Sequence, residues 1–219
     1  MGKYTIWYEN ADEFYELKKE IFSEHRYYLE LEAKRPNIVD LGAHIGMSVV
    51  YFKKAYPDST ITAYEPEASN FFLLEKNVRE NQLTGVTIFN QAVAPKSGTV
   101  ELQIPSQNEG WKSGTGIIPQ GWKGVQKTIP LRVEAVGINE VLHQKVDLLK
   151  MDIEGMEYEV LESAELHNVH NLIVEIHPRS GKREEVISRK LQSSGMRITR
   201  EVDQSRYGKG LIIITGRRS

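Results

Sequence analysis

The sequence contains no cysteine, which excludes disulfide bonds, thiolate nucleophiles and cysteine metal sites. It also carries little net charge, because the formal total is −2 over 219 residues. A near-neutral chain gives no global electrostatic reason to bind nucleic acid. No apolar run approaches the roughly 20 residues of a membrane span. The first residues show no basic-then-apolar signal pattern. We therefore expect a cytoplasmic protein with neither a nucleic-acid nor a membrane partner.

Internal repeats and low-complexity linkers are absent as well, so we expect a single domain over residues 1–219. Strand and helix patterns alternate along most of the chain, which predicts parallel βαβ units and an α/β fold. The predicted strands are 37–41, 60–64, 86–90, 146–151 and 171–176, with a hairpin arm at 99–102 and a closing pair at 196–201 and 209–215. The predicted helices between them are 46–56, 67–80, 155–165 and 181–194.

An N-terminal helical flank of about residues 1–35 precedes the first strand. Its pattern predicts a helix over residues 12–33 that packs as a lid or flank. Four apolar residues share one stripe of this helix: Phe14, Leu17, Ile21 and Tyr28.

A second irregular region, about residues 105–130, has five glycines, three prolines and no sustained period. Long irregular segments inside compact domains are functional or mobile, and we expect this one to form the acceptor-side wall of a site. Trp111 and Trp122 could stack on a sugar or aromatic ring, or they could pin the segment to the core.

The run VDLGAHIGM at 39–47 reads as a buried strand, a glycine turn and the start of a helix. Gly42 and Gly46 permit a tight turn and a close approach of the backbone to a ligand. Asp40 lies at the carboxyl end of the strand, where open α/β sheets bind ligands. His44 occupies the place where a dinucleotide fingerprint carries its middle glycine, and histidine tolerates positive φ. A purely structural strand–helix turn remains the alternative.

Glu65 ends the second strand and is followed by Pro66. A carboxylate at this position can accept hydrogen bonds from both hydroxyls of a ribose. Alternatively, it is only a negative charge favoured at a helix N-terminus. The turn and Glu65 together predict an adenosine-type ligand and leave NAD and S-adenosylmethionine (SAM) both open.

Five segments resemble the FkbM family of SAM-dependent methyltransferases: DLGAHIG at 40–46, YEP at 64–66, NQAV at 90–93, KMDIEGME at 150–157 and VEIH at 174–177. The resemblance implies a class I, Rossmann-like methyltransferase fold. Such a fold has a seven-stranded, mostly parallel sheet with helices on both faces and an antiparallel last strand. It also implies SAM as the cofactor.

The resemblance further implies a set of cofactor-binding residues: Asp40, Gly42, His44, Gly46, Glu65, Gln91 and Ala92. Asp40 would lie near the methionine amino group and Glu65 would bind the ribose hydroxyls. Gln91 and the backbone of Ala92 would face the adenine. The family usually has asparagine where this chain has His44, so its side-chain contacts are expected to differ. Carboxylates suit the sulfonium and ammonium of SAM, whereas a pyrophosphate would prefer donors and cations.

Three residues are candidates for the chemistry of methyl transfer: Asp152, Glu154 and His177. Asp152 and Glu154 follow a strand that the resemblance places beside the first one, so both should point toward the reactive end of the donor. His177 closes the next strand and could act as a general base near neutral pH. Glu154 and Glu157 could instead only stabilise the N-terminus of the following helix.

A hard-cation site formed by Asp152, Glu154, Glu175 and His177 is an open alternative, since oxygen-rich ligands suit magnesium. Their spacing shows no tight ligand pattern, and we assign no metal from the sequence.

The leading prediction is a SAM-dependent methyltransferase that methylates a hydroxyl of a small molecule or sugar. The alternatives are an RNA or protein methyltransferase and a non-catalytic SAM-binding module. The sequence assigns no oligomeric state.

Overall fold

The computed structural model of the chain describes residues 4–106, 116, 127–203 and 211–218. Its strands are β1 (Asn37–Leu41), β2 (Thr60–Tyr64), β3 (Val86–Phe89), β4 (Ala92–Ala94), β5 (Gly98–Pro105), β6 (Thr128–Gly137), β7 (Leu148–Met151), β8 (Asn171–Ile176), β9 (Met196–Asp203) and β10 (Leu211–Arg218). Its α-helices are α1 (Ala11–Lys18), α2 (Met47–Ala55), α3 (Ala68–Glu80), α4 (Ile138–Val141), α5 (Glu157–Ser163) and α6 (Glu184–Ser193).

Seven strands form the main sheet in the order β3-β2-β1-β7-β8-β10-β9. All neighbouring pairs from β3 to β8 are parallel, and β10 is antiparallel to both of its neighbours. Alternate residues of β1 enter two different cores. Ile38 packs in the core with α2 and α3, whereas Val39 packs in the core with α5 and α6. Helices therefore cover both faces of the sheet, and the predicted fold class is confirmed.

A second, three-stranded sheet of order β4-β6-β5 was only partly predicted. The expected arm at 99–102 lies within β5, but β6 begins at Thr128, inside the segment expected to be irregular. Pro130 pairs with Gln103 of β5, and within the described residues its other side is unpaired because β4 pairs with residues 135–137 of β6. An edge position tolerates a missing N–H. Trp111, Trp122 and most of the irregular segment lie outside the described residues.

The N-terminal helix is shorter than the predicted range of 12–33. It runs through α1 and a π-helical turn, Lys19–Ser23, and then stops. His25 has a left-handed φ of 55°, which breaks the helical path. As a result Tyr28 is half exposed rather than part of the buried stripe, and Tyr27 is buried in its place.

Candidate active site

The turn after β1 folds tightly against the end of β7. Gly42 has a φ of 79°, and a Cβ added to it would lie 1.8 Å from the carbonyl oxygen of Asp152. Gly46 has a φ of 86°, and a Cβ there would lie 2.7 Å from Leu74. Gly42 therefore requires glycine both for its conformation and for space, whereas Gly46 requires it mainly for its conformation. Between them His44 adopts a φ of 50°, the positive value that histidine was expected to tolerate.

Asp40 lies beneath this turn and not in the wall of the cavity above it. It is fully buried and forms an ion pair with Lys150, its neighbour across β1 and β7, at 3.2 Å. Ser48 donates a hydrogen bond to Asp40 at 2.5 Å. Lys150 also donates a hydrogen bond of 2.6 Å to the carbonyl of Gly42. The pair thus fixes the glycine turn, and the expected contact of Asp40 with a methionine amino group stays a prediction.

Lys150 remains charged although its side chain is 2 % exposed. Burial lowers the pKa of its ammonium, but the carboxylates of Asp40, Asp152 and Glu175 outweigh that effect and raise the pKa above its ordinary value. A protonated Lys150 at neutral pH keeps its hydrogen bond to the turn.

The carboxylate of Glu65 faces the same glycine turn. Its Oε2 accepts a hydrogen bond from the backbone N–H of His44 at 2.8 Å, and its Oε1 accepts one from Glu67 at 3.0 Å. Burial raises the pKa of Glu65 to about 7, although these backbone donors act in the opposite direction. Its position at the end of β2, beside the end of β1, is the one expected for a ribose-binding carboxylate.

His44 contributes its backbone to this arrangement, while its ring faces the N-terminal segment. The imidazole Nε2 lies 3.6 Å from Glu13 of α1. Burial lowers the pKa of His44, and the nearby Glu13 raises it less, so the ring is neutral at pH 7. The ring of His44, which stands where the family usually has asparagine, therefore lies beside α1 without a hydrogen bond to the described residues.

A cavity of about 790 Å³, counting space at its open mouth, extends from the glycine turn to the end of β7. The centre of a water molecule can occupy about 70 Å³ of it, and the larger volume includes open solvent. Five of the seven predicted cofactor residues line it: Gly42, His44, Glu65, Gln91 and Ala92. Asp40 and Gly46 do not. The binding roles of all seven stay predictions.

The N-terminal segment forms part of the cavity wall through three residues whose role the sequence analysis missed: Leu17, Ile21 and Tyr27. Tyr27 donates a hydrogen bond to Glu175 at 2.8 Å and lies 3.5 Å from Asp152. Arg26 is 3.7 Å from Glu175. The apolar stripe gave a signal for Leu17 and Ile21, but no periodicity marks Tyr27.

Asp152 and Glu154 line the opposite end of the cavity. Extended geometry ends at Met151, and Glu154 has a left-handed φ of 50°. Glu154 still faces the cavity because this turn redirects the chain before α5 begins. Gly116, a described residue of the irregular segment, lies against it, and a Cβ there would be 2.3 Å from the Cβ of Glu154.

His177 lies behind these carboxylates and does not line the cavity. Its Nε2 is 3.2 Å from Glu154 and its Nδ1 is 2.9 Å from Glu157. Burial lowers the pKa of His177, but Glu154, Glu157 and Asp152 raise it well above the ordinary value. The ring is therefore a cation at neutral pH, and the expected role of His177 as a general base stays a prediction.

Glu157 does more than stabilise a helix end, because its fully buried carboxylate holds both His177 and the backbone N–H of Gly155. Glu175, which the sequence grouped with Asp152 and His177, is engaged instead by Tyr27 and Arg26. The cluster around His177 therefore contains Glu157, and not Glu175 as the sequence suggested.

The described residues include no helix long and apolar enough to cross a membrane. In comparisons with known proteins, the chain is 30% identical over 216 residues to methyltransferase sdnD of Sordaria araneosa, covering 84% of this chain and 82% of that protein. It is 24% identical over 247 residues to the 31-O-demethyl-FK506 methyltransferase FkbM of Streptomyces tacrolimicus, covering 98% and 94%.

Among solved structures, the chain resembles methyltransferase FkbM from Methylobacillus flagellatus KT with a TM-score of 0.59 and 16% identity. That match covers 85% of this chain and 45% of the other, so it supports the fold alone. The family model of the methyltransferase FkbM domain matches residues 40–203. This range contains the glycine turn, Glu65 and the carboxylates around His177. The chain therefore belongs to the FkbM family of SAM-dependent methyltransferases.

Proposed function

We propose that this methyltransferase binds SAM in the cavity above the glycine turn and methylates a hydroxyl group of a small molecule or sugar. The observation that carries the proposal is the distribution of carboxylates in one cavity. Glu65 lies at the end where β2 closes, and Asp152 and Glu154 lie at the other end, after β7. Glu65 is suited to binding the ribose hydroxyls, and Asp152 and Glu154 are suited to accepting a proton.

The residues around the turn fit the parts of SAM. Glu65 is fixed by two backbone N–H groups, so its remaining lone pairs can accept the ribose hydroxyls. Gln91 and Ala92 line the cavity beyond β3, where the adenine would lie. Asp152 and Glu154 place negative charge where a sulfonium would be favoured. When bound, SAM supplies an electrophilic methyl group.

The chain's own part in the reaction is to align the acceptor and remove its proton. As the acceptor oxygen gains the methyl carbon, the carbon–sulfur bond breaks and the hydroxyl proton must leave. Glu154 and Asp152 are the carboxylates on the cavity wall that can take it. Support for oxygen as the acceptor atom also comes from the Streptomyces relative, whose name specifies 31-O-demethyl-FK506.

Two experiments test the proposal. Isothermal titration of the full chain with SAM and with NAD should show binding of SAM only, and a preference for NAD would overturn the cofactor assignment. Transfer of labelled methyl groups should then be measured with sugars and small alcohols, their amine analogues, bulk tRNA and a protein mixture. We expect label in the hydroxyl compounds. Label in the tRNA or protein alone, or in no acceptor despite SAM binding, would contradict the proposed acceptor class.

A further inference from the structure

Three potential metal ligands converge at the carboxyl ends of two adjacent strands. Asp152 follows β7, His177 follows β8, and Glu157 is the first residue of α5. One ligand atom of each lies within 4.8 Å of the other two. No pair of them is close enough in sequence to form a recognisable ligand motif, so only the fold brings them together.

The geometry of this cluster resembles part of a coordination sphere. His177 Nδ1 and Glu157 Oε1 are 2.9 Å apart and share a hydrogen bond, which a cation would replace by displacing the proton from Nδ1. Two ligands about 2.1 Å from one cation and at right angles to each other are separated by about 3 Å. The Glu157 carboxylate is already oriented by the N–H of Gly155, at 2.9 and 3.0 Å from its two oxygens. Such an oriented ligand is typical of metal centres.

The charges of the cluster are not balanced by its own members. Within the described part of the chain, Asp152, Glu154 and Glu157 place three carboxylates around one imidazole, and Lys150 lies near Asp152 outside the cluster. In addition, Asp152 Oδ1 is shielded from solvent and has no hydrogen-bond partner in the part of the chain that the structure describes. A buried carboxylate oxygen without a donor is costly, and a cation would satisfy it.

We propose that Asp152, Glu157 and His177 bind a divalent cation at the rim of the SAM cavity. Two carboxylates and one imidazole, in a chain without cysteine, suit Mn²⁺ or Mg²⁺ better than a thiolate-seeking metal. Because Asp152 lines the cavity, a cation held by it would lie next to the space for the acceptor. The cation lowers the pKa of a coordinated hydroxyl, and Glu154 remains on the wall to take its proton. This catalytic role rests on the proposed O-methylation, whereas cation binding itself does not.

The binding test uses Mn²⁺ as the probe. The full chain is treated with a chelator, dialysed and titrated with Mn²⁺, with and without SAM, while free Mn²⁺ is followed by electron paramagnetic resonance. We expect one Mn²⁺ per chain, displaced by excess Mg²⁺. Asp152→Asn and His177→Ala should each weaken binding at least about tenfold, since even outer-shell changes cost 10–100-fold in affinity. Glu159→Gln is the matched control, because Glu159 pairs with Arg179 and Lys182 instead and should leave binding unchanged.

Circular dichroism and SAM titration show whether each variant is folded. If His177→Ala fails to fold, the partly exposed Asp152 provides the deciding variant. Absence of Mn²⁺ binding in the wild type, or binding that survives Asp152→Asn, would overturn the proposal. Methyl transfer assays in EDTA separate the two ideas. Undiminished hydroxyl methylation in EDTA would refute the catalytic role of the cation, and cation binding without hydroxyl methylation would refute only the proposed acceptor.

Discussion

Replacing Glu65 tests both the site and its electrostatics. The carboxyl group has a pKa of about 7, so it is about a tenth ionised at pH 6 and about nine tenths ionised at pH 8. If the ionised form binds the ribose hydroxyls, apparent affinity scales with that fraction. The SAM dissociation constant of the wild type should then fall about tenfold between pH 6 and pH 8.

Glu65→Gln should remove this pH dependence and weaken SAM binding at pH 8 by about 1–3 kcal/mol, the range for losing a hydrogen bond to a charged partner. The glutamine amide also places an NH₂ group against the N–H of His44 or Glu67, which adds to the loss. Isothermal titration at pH 6, 7 and 8 measures both effects. The slope left in the variant is the background from other titrating groups, including those of SAM.

Glu75→Gln is the matched control because Glu75 is an exposed residue of α3 and does not line the cavity. It should bind SAM with nearly the wild-type pH profile. Equal affinity of Glu65→Gln and wild type at pH 8 would refute the ribose-binding role. Identical pH slopes in the two proteins would refute the electrostatic argument.

Three further variants test the structure around the turn. Gly42→Ala should lower the free energy of unfolding by more than Gly181→Ala, measured by urea titration, because both glycines have a φ of 79° but only the first added Cβ meets a backbone atom. Lys150→Met should lower the free energy of unfolding by about 3–5 kcal/mol because it leaves Asp40 buried and unpaired. Adding Asp40→Asn should recover part of this loss. If the losses of the two single variants simply add in the double variant, the pairing is refuted. Tyr27→Phe should cost about 1–3 kcal/mol through the lost hydrogen bond to Glu175, and an unchanged thermal midpoint would contradict that role.

The main sheet was predictable because its strands carry strong local patterns. The bounds of β1, β2 and α3 differ from the predicted ones by at most one residue. The ends of α5 were less accurate, since the left-handed turn at Glu154 delays the helix until Glu157. That conformation comes from contacts with the rest of the fold and has no signature in a run of side chains.

The residues of the site also differ in how well the sequence could predict them. Glu65 could be found from its place at a strand end. The pairing of Asp40 with Lys150 could not, because it depends on the register between β1 and β7, which are joined by about a hundred residues of intervening chain. Likewise, the state of His177 depends on Glu157 meeting it across α5 and β8. Burial and long-range pairing therefore determined the chemistry that sequence patterns left open.

The cavity wall formed by Leu17, Ile21 and Tyr27 has a consequence for how ligand selectivity can diverge. The family match begins at residue 40, so this wall lies outside the sequence that defines the family. Substitutions there can reshape the cavity without altering the glycine turn or Glu65. Exchanging residues 4–36 for the equivalent segment of a relative is thus a route to chimeric enzymes with a new ligand preference and an intact central sheet.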